Sequence, residues 1–159
     1  MTAGAQKMIT RLNLAPLPVE GGFYRRTWIS TDLHPDGRST GSQIWYLMTP
    51  EAFSALHRLD APERWEFQAG DPVEHVQLDS RDGTVRVQTL GHSTRRRLEV
   101  PAGVWQGARL APCPHPRGWT LLGCSMSPAW EEKGFEIGRR DELLGVFPSA
   151  ARLITALTR

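Results

Sequence analysis

Apolar residues recur at every second position through much of the chain, most plainly in Thr84–Leu90 (TVRVQTL), where Val85 and Val87 alternate with Arg86 and Gln88. Such alternation puts one side of a strand on a core and the other in water. Runs of similar length at 23–29, 53–59, 63–68, 73–78, 98–100, 104–110 and 119–127, and a run of about seven residues within GSQIWYLMTP, are separated by Gly, Pro and Asp-Gly turns such as Ser80–Gly83 (SRDG). The pattern predicts about nine or ten short strands with no helix among them. An all-β, double-stranded jelly-roll barrel accommodates that many strands.

The two ends read differently. Residues 2–12 set Ala5, Met8, Ile9 and Leu12 at helical spacing behind Thr2, a fitting N-cap. In the tail, 141–147 and 149–157 show helical apolar spacing on either side of Pro148, with Ser149 as the cap of the last helix. One domain over 1–159 follows: an N-terminal helix at about 2–12, a barrel at about 17–138, and C-terminal helices at about 139–158 that cover a barrel end or a subunit contact.

Composition sharpens this picture in a few places. Six Trp, twelve Pro and fifteen Gly suit short strands and frequent turns better than helices. The net charge of +2 is dispersed, and its one basic run, Arg95, Arg96 and Arg97, falls in a turn and is too narrow to track phosphates, so no nucleic-acid partner is expected. No apolar run is long enough for a membrane span, and the N-terminus does not read as a signal peptide, so a cytoplasmic protein is expected. Cys113 and Cys124 lack CxxC spacing and read as free thiols.

One stretch carries candidate chemistry. In HRLDAPERWEFQAG, His57, Leu59, Glu63 and Gly70 take the spacing of the first cupin motif, whose imidazoles and carboxylate bind a divalent metal, with Leu59 in place of the second His. Further on, PAGVWQ resembles the second cupin motif, with Gln106 where its His would stand. Together with LAPLPVEGGFYRRTW, SQIWYLM, LLGCSMSPAWEEKGFEIG and ELLGVFP, these segments make the chain resemble the cupin 5 family, formerly a domain of unknown function, from about Leu14 to Pro148. The resemblance implies an RmlC-like barrel, a homodimer, and a cavity lined by aromatic and polar residues.

His57 and Glu63 are the candidate catalytic pair, His57 as acid or base and Glu63 orienting it. Arg25 is placed to hold an anionic group of a small-molecule ligand, Trp65 to stack on it, and Tyr46 or Gln106 to donate to a carbonyl or enolate oxygen. No cofactor is expected: a divalent metal would have only His57, Glu63 and Gln106, one imidazole with a weak amide, and would be held weakly. The expected function is therefore a metal-independent isomerase, epimerase or dehydratase acting on a small polar, anionic metabolite. Two other readings stand beside it, a non-catalytic binder of a small ligand and, lowest, a metal-dependent cupin oxygenase. Trp45, Trp65 and Trp105 serve equally as core, and His57 with Glu63 as a satisfied structural pair. His34, His92 and His115 read as surface residues, and the face of His75 turns on a strand register that the sequence leaves open.

Overall fold

The alternation becomes two facing antiparallel sheets in the computed structural model, which describes residues 1–159. One sheet has six strands: β1 (Ala15–Pro16), β2 (Phe23–Ile29), β3 (Ser42–Met48), β10 (Thr120–Met126), β5 (Glu63–Gly70) and β8 (Arg97–Val100), in that spatial order. The other has five: β11 (Phe135–Ile137), β4 (Ser54–Leu59), β9 (Trp105–Leu110), β6 (Val73–Asp79) and β7 (Thr84–Leu90). This is the jelly-roll barrel expected from the sequence, and its longer strands begin and end within about two residues of the predicted runs.

Between the sheets, Met48, Trp65, Phe67, Val73, Leu90, Leu122 and their neighbours form a buried core. The helices pack on the outside. Helix α1 (Ala3–Leu12) is capped by Thr2, whose hydroxyl accepts from Ala5 N at 3.2 Å. Its Ala5 and Ile9 pack with Leu47, Trp119 and Leu121 on the outer face of the six-stranded sheet. Helices α2 (Arg140–Val146) and α3 (Ala151–Ala156) bring Leu143, Phe147, Ile154 and Leu157 against Leu56, Val76, Leu78 and Trp105, the outward residues of the five-stranded sheet. Full burial of each such side chain is worth roughly 1.5–3 kcal/mol, so the tail helices stabilise a sheet face and do not plug a barrel end.

Two local expectations change. Ser149 does not cap the last helix: Pro148–Ala150 forms a 3-10 turn, and α3 starts behind Ala150 with no side-chain cap. A further 3-10 turn, Glu132–Gly134, leads into β11, a strand too short to carry a period of its own. Trp45 packs with the α1 cluster and Trp105 with the α2–α3 cluster, whereas Trp65 lies in the barrel interior.

Candidate active site in the barrel

One part of the interior is left open as a cavity of about 350 Å³, with 11 hydrophobic residues among the 18 that line it. His57 reaches it from β4, Glu63 and Trp65 from β5, Ser42, Ile44 and Tyr46 from β3, and Tyr24 and Arg26 from β2. Leu17 to Glu20, in the loop before β2, close one wall.

His57 is almost wholly buried, and its ring stacks on Phe135 with centroids 5.4 Å apart. Its Nδ1 lies 2.8 Å from the carbonyl oxygen of Ala55. A carbonyl only accepts, so Nδ1 carries the proton in the neutral ring and Nε2 is the free basic nitrogen. The carboxylate nearest to Nε2 belongs to Glu20, at 3.9 Å. Glu63 therefore does not orient His57 by a hydrogen bond; the backbone of Ala55 does.

Glu63 has other partners. Its Oε2 accepts from Gln106 Nε2 at 2.8 Å and from the Trp65 indole N–H at 3.1 Å, and the same indole donates to Gln106 Oε1 at 2.9 Å. Because an indole nitrogen can only donate, the amide orientation of Gln106 is fixed by chemistry. Burial, the largest influence, lifts the Glu63 carboxyl to about 7, against the pull of His57 and of these two donors. A carboxyl in that range is part acid and part base at neutral pH.

The remaining sequence-derived candidates divide. Trp65 and Tyr46 line the cavity as rings set edge to face, with centroids 5.8 Å apart. The Tyr46 hydroxyl, which burial keeps protonated, donates to the Gly21 carbonyl at 2.9 Å and is already committed. Gln106 stands behind Trp65, outside the lining, with both ends of its amide in use. Arg25 is exposed and faces away from the cavity: it pairs with Trp45, whose side chain packs toward α1, so the neighbouring Arg26 is the arginine on the cavity face. Arg26 forms no salt bridge. Asp60 receives both terminal nitrogens of Arg38 at 2.9 Å.

Sequence reasoning did not single out Glu20 as a site residue, and the signal was slight: an acidic residue between a proline turn and a Gly-Gly pair. His75 does face inward, opposite Ala108, with its ring centroid 4.8 Å from that of Trp65. It does not line the cavity, neither ring nitrogen has a hydrogen-bond partner, and burial lowers its pKa to about 3. His34, His92 and His115 are exposed, as expected.

Comparison with known families gives a match over residues 6–138 to the Cupin 5 family, described as Cupin superfamily (DUF985). The chain belongs to this family. Among solved structures, this cupin is similar to a protein from Shewanella oneidensis (29% identity, TM-score 0.89, covering 99% of both chains). It is also similar to a hypothetical protein from Leishmania major (28% identity, TM-score 0.87, again covering 99% of both chains). Oxalate decarboxylase from Bacillus subtilis shares the fold at 12% identity and TM-score 0.59, the match covering 91% of this chain and 37% of that one. No curated protein matches the chain.

The cupin motif implies a divalent metal, and the residues present do not make up its ligand set. Leu59 offers no donor, and Gln106 spends its amide on Trp65 and Glu63. No group of three or more His, Cys, Asp or Glu side chains is gathered so as to hold an ion. No helix is long and apolar enough to cross a membrane.

Proposed function

We propose that this cupin is a proton-transfer enzyme, an isomerase, epimerase or dehydratase, acting on a small molecule that joins an apolar body to an anionic group. The observation that carries the reading is the meeting of an imidazole and a carboxyl from facing sheets in one mostly apolar cavity. His57 presents a free Nε2 from the five-stranded sheet, and Glu63, with its carboxyl at about 7, stands on the six-stranded sheet. Acid and base then approach a ligand from different walls, as reactions that take a proton from one atom and return it to another require. Arg26, unpaired on the cavity face, anchors the anion, while Ile44, Leu59 and Phe135 receive the apolar part.

The test is exchange of carbon-bound hydrogen for solvent deuterium, followed by proton NMR over a panel of 2-oxo acids, 2-hydroxy ketone phosphates and sugar acids. Wild type is expected to exchange at least one compound. His57→Ala should slow that exchange roughly 100-fold or more, and Arg26→Met should raise KM more than it lowers kcat. Compounds that bind, by thermal shift, but never exchange would sink the enzymatic reading. That outcome would favour the second one, a non-catalytic ligand-binding cupin, whose support is the apolar majority of the cavity wall.

A further inference from the structure

The proton-transfer reading so far leaves Glu20 without a task, although the chain holds it unusually firmly. Val19, just before it, has φ 66°, and the Glu20 N–H donates to the Pro18 carbonyl at 2.7 Å, closing a three-residue turn across a β-branched residue in the left-handed region. Such a turn is rare and strained, by roughly 1–3 kcal/mol. Val19 is 63% exposed, so burial of its own side chain does not offset that strain. Gly21 and Gly22 continue at φ 101° and 73°, where a Cβ on Gly22 would strike the Tyr46 ring.

The surroundings fix this elbow at several points. The Glu20 carbonyl accepts from Ala55 N at 2.9 Å and from Arg159 Nη1 at 2.8 Å, and the same nitrogen reaches the Val19 carbonyl at 3.0 Å. Tyr46 holds the Gly21 carbonyl from the other side. Strain of this kind survives only where neighbours over-determine it, and it concentrates at functional sites. The result is a carboxylate set at one point in the cavity wall. Its Oε1 accepts from Ser54 Oγ at 2.8 Å, while its Oε2 makes no hydrogen bond and faces His57 Nε2 across 3.9 Å. That gap is too wide for a direct hydrogen bond. It leaves each group a free position toward neighbouring atoms of one ligand.

We propose that Glu20 is a catalytic residue and that the substrate is a carbonyl compound with a hydrogen on the adjacent carbon. The Glu20 carboxylate takes that hydrogen as a proton while protonated His57 gives its Nε2 proton to the carbonyl oxygen. The C–H electron pair becomes the C=C bond of an enol, and the carbonyl π pair becomes its O–H bond. One proton is taken and one given, so no co-reactant is needed. Isomerisation, epimerisation and loss of a β-hydroxyl group all proceed from this species, and Glu63 on the facing sheet is the further proton carrier that separates them. Arg159 touches no ligand and is a positioning residue.

The inference rests on the proton-transfer reading, and the deuterium panel separates the two. With a compound that wild type exchanges, Glu20→Gln, which keeps the shape and the Ser54 bond, is expected to lose roughly 100-fold or more in kcat with KM changed less than about threefold. Glu20→Asp should recover part of the rate. Arg159→Ala should lower kcat and be rescued in part by added guanidinium, which a purely structural loss would not show. Exchange by Glu20→Gln at the wild-type rate overturns the role of Glu20 and leaves the proton-transfer reading standing. Absence of exchange by wild type with compounds that bind overturns both. The elbow is held through backbone carbonyls, so the Gln variant should fold, and its circular dichroism and melting curve verify this.

Discussion

Replacing Glu63 by Gln should make the protein more stable in alkali, by an amount set by the environment of the carboxyl. Burial raises its pKa from an ordinary 4.5 to about 7. The native state therefore holds this proton more tightly than the unfolded chain does. The corresponding stability is fully present below the unfolded value, falls as pH rises between the two values, and is lost once pH passes about 7. At ~1.36 kcal/mol per pH unit, the interval between 4.5 and about 7 amounts to about 3 kcal/mol. Gln carries no charge, and its carbonyl can occupy the Oε2 position and accept from both Trp65 and Gln106. Urea unfolding of wild type and Glu63→Gln at pH 4.5, 6, 7 and 8 reads the difference directly. The stability gap between variant and wild type should widen by about 3 kcal/mol across this range, and at pH 8 the added margin corresponds to roughly 6–12 °C in Tm for a chain of this size. His75 titrates in both proteins and cancels in the difference. Two parallel stability curves, with the gap changing by less than about 0.5 kcal/mol, would show that the carboxyl is not held near 7 and would remove its place in the proposed chemistry. The same experiment measures what the site costs the fold, since a carboxylate kept ionisable inside an apolar barrel opposes stability wherever it is charged.

Two further outcomes follow from the polar groups behind the cavity. Gln106→Leu leaves Trp65 Nε1–H without one acceptor and Glu63 without one donor, so it should destabilise by about 1–3 kcal/mol. Because Gln106 holds the carboxyl down, its loss should move the Glu63 midpoint above about 7, visible as a shift of the pH–stability curve to higher pH; an unmoved midpoint would contradict the assigned contact. His75→Leu removes an imidazole with no hydrogen-bond partner and should stabilise by about 1 kcal/mol or more at pH 7.5. Its pKa is lowered by burial to about 3, so the wild-type contribution is present above the unfolded value of 6.5 and is lost as pH falls toward 3. The advantage of the Leu variant should therefore grow by about 2–3 kcal/mol between pH 7.5 and 4.5, and equal acid sensitivity in the two proteins would contradict it.

The barrel was legible because its strands are short, two-faced and punctuated by Gly and Pro, all of which are local properties. The same alternation states that Arg25 and Arg26 lie on opposite faces, and says nothing about which face is inside. That choice belongs to α1: Trp45 and Leu47 of β3 pack toward the helix, and the β2 register across from them carries Arg25 outward and Arg26 inward. His75 was undecided for the same reason, and its direction appears only once β6 is paired with β9. His57 and Glu63, which the cupin spacing singles out, both line one cavity, yet their expected mutual contact is replaced by contacts to Ala55, Trp65 and Gln106. Glu20 lay furthest from view, since the elbow presenting it is fixed by Arg159, more than a hundred residues away, and by Tyr46 and Ser54 from two separate strands. A spacing motif relates residues along one stretch of chain, whereas the proposed proton chemistry is assembled from contacts between segments that no spacing relates. A variant series confined to the motif residues would accordingly miss the carboxylate nearest to the free nitrogen of His57.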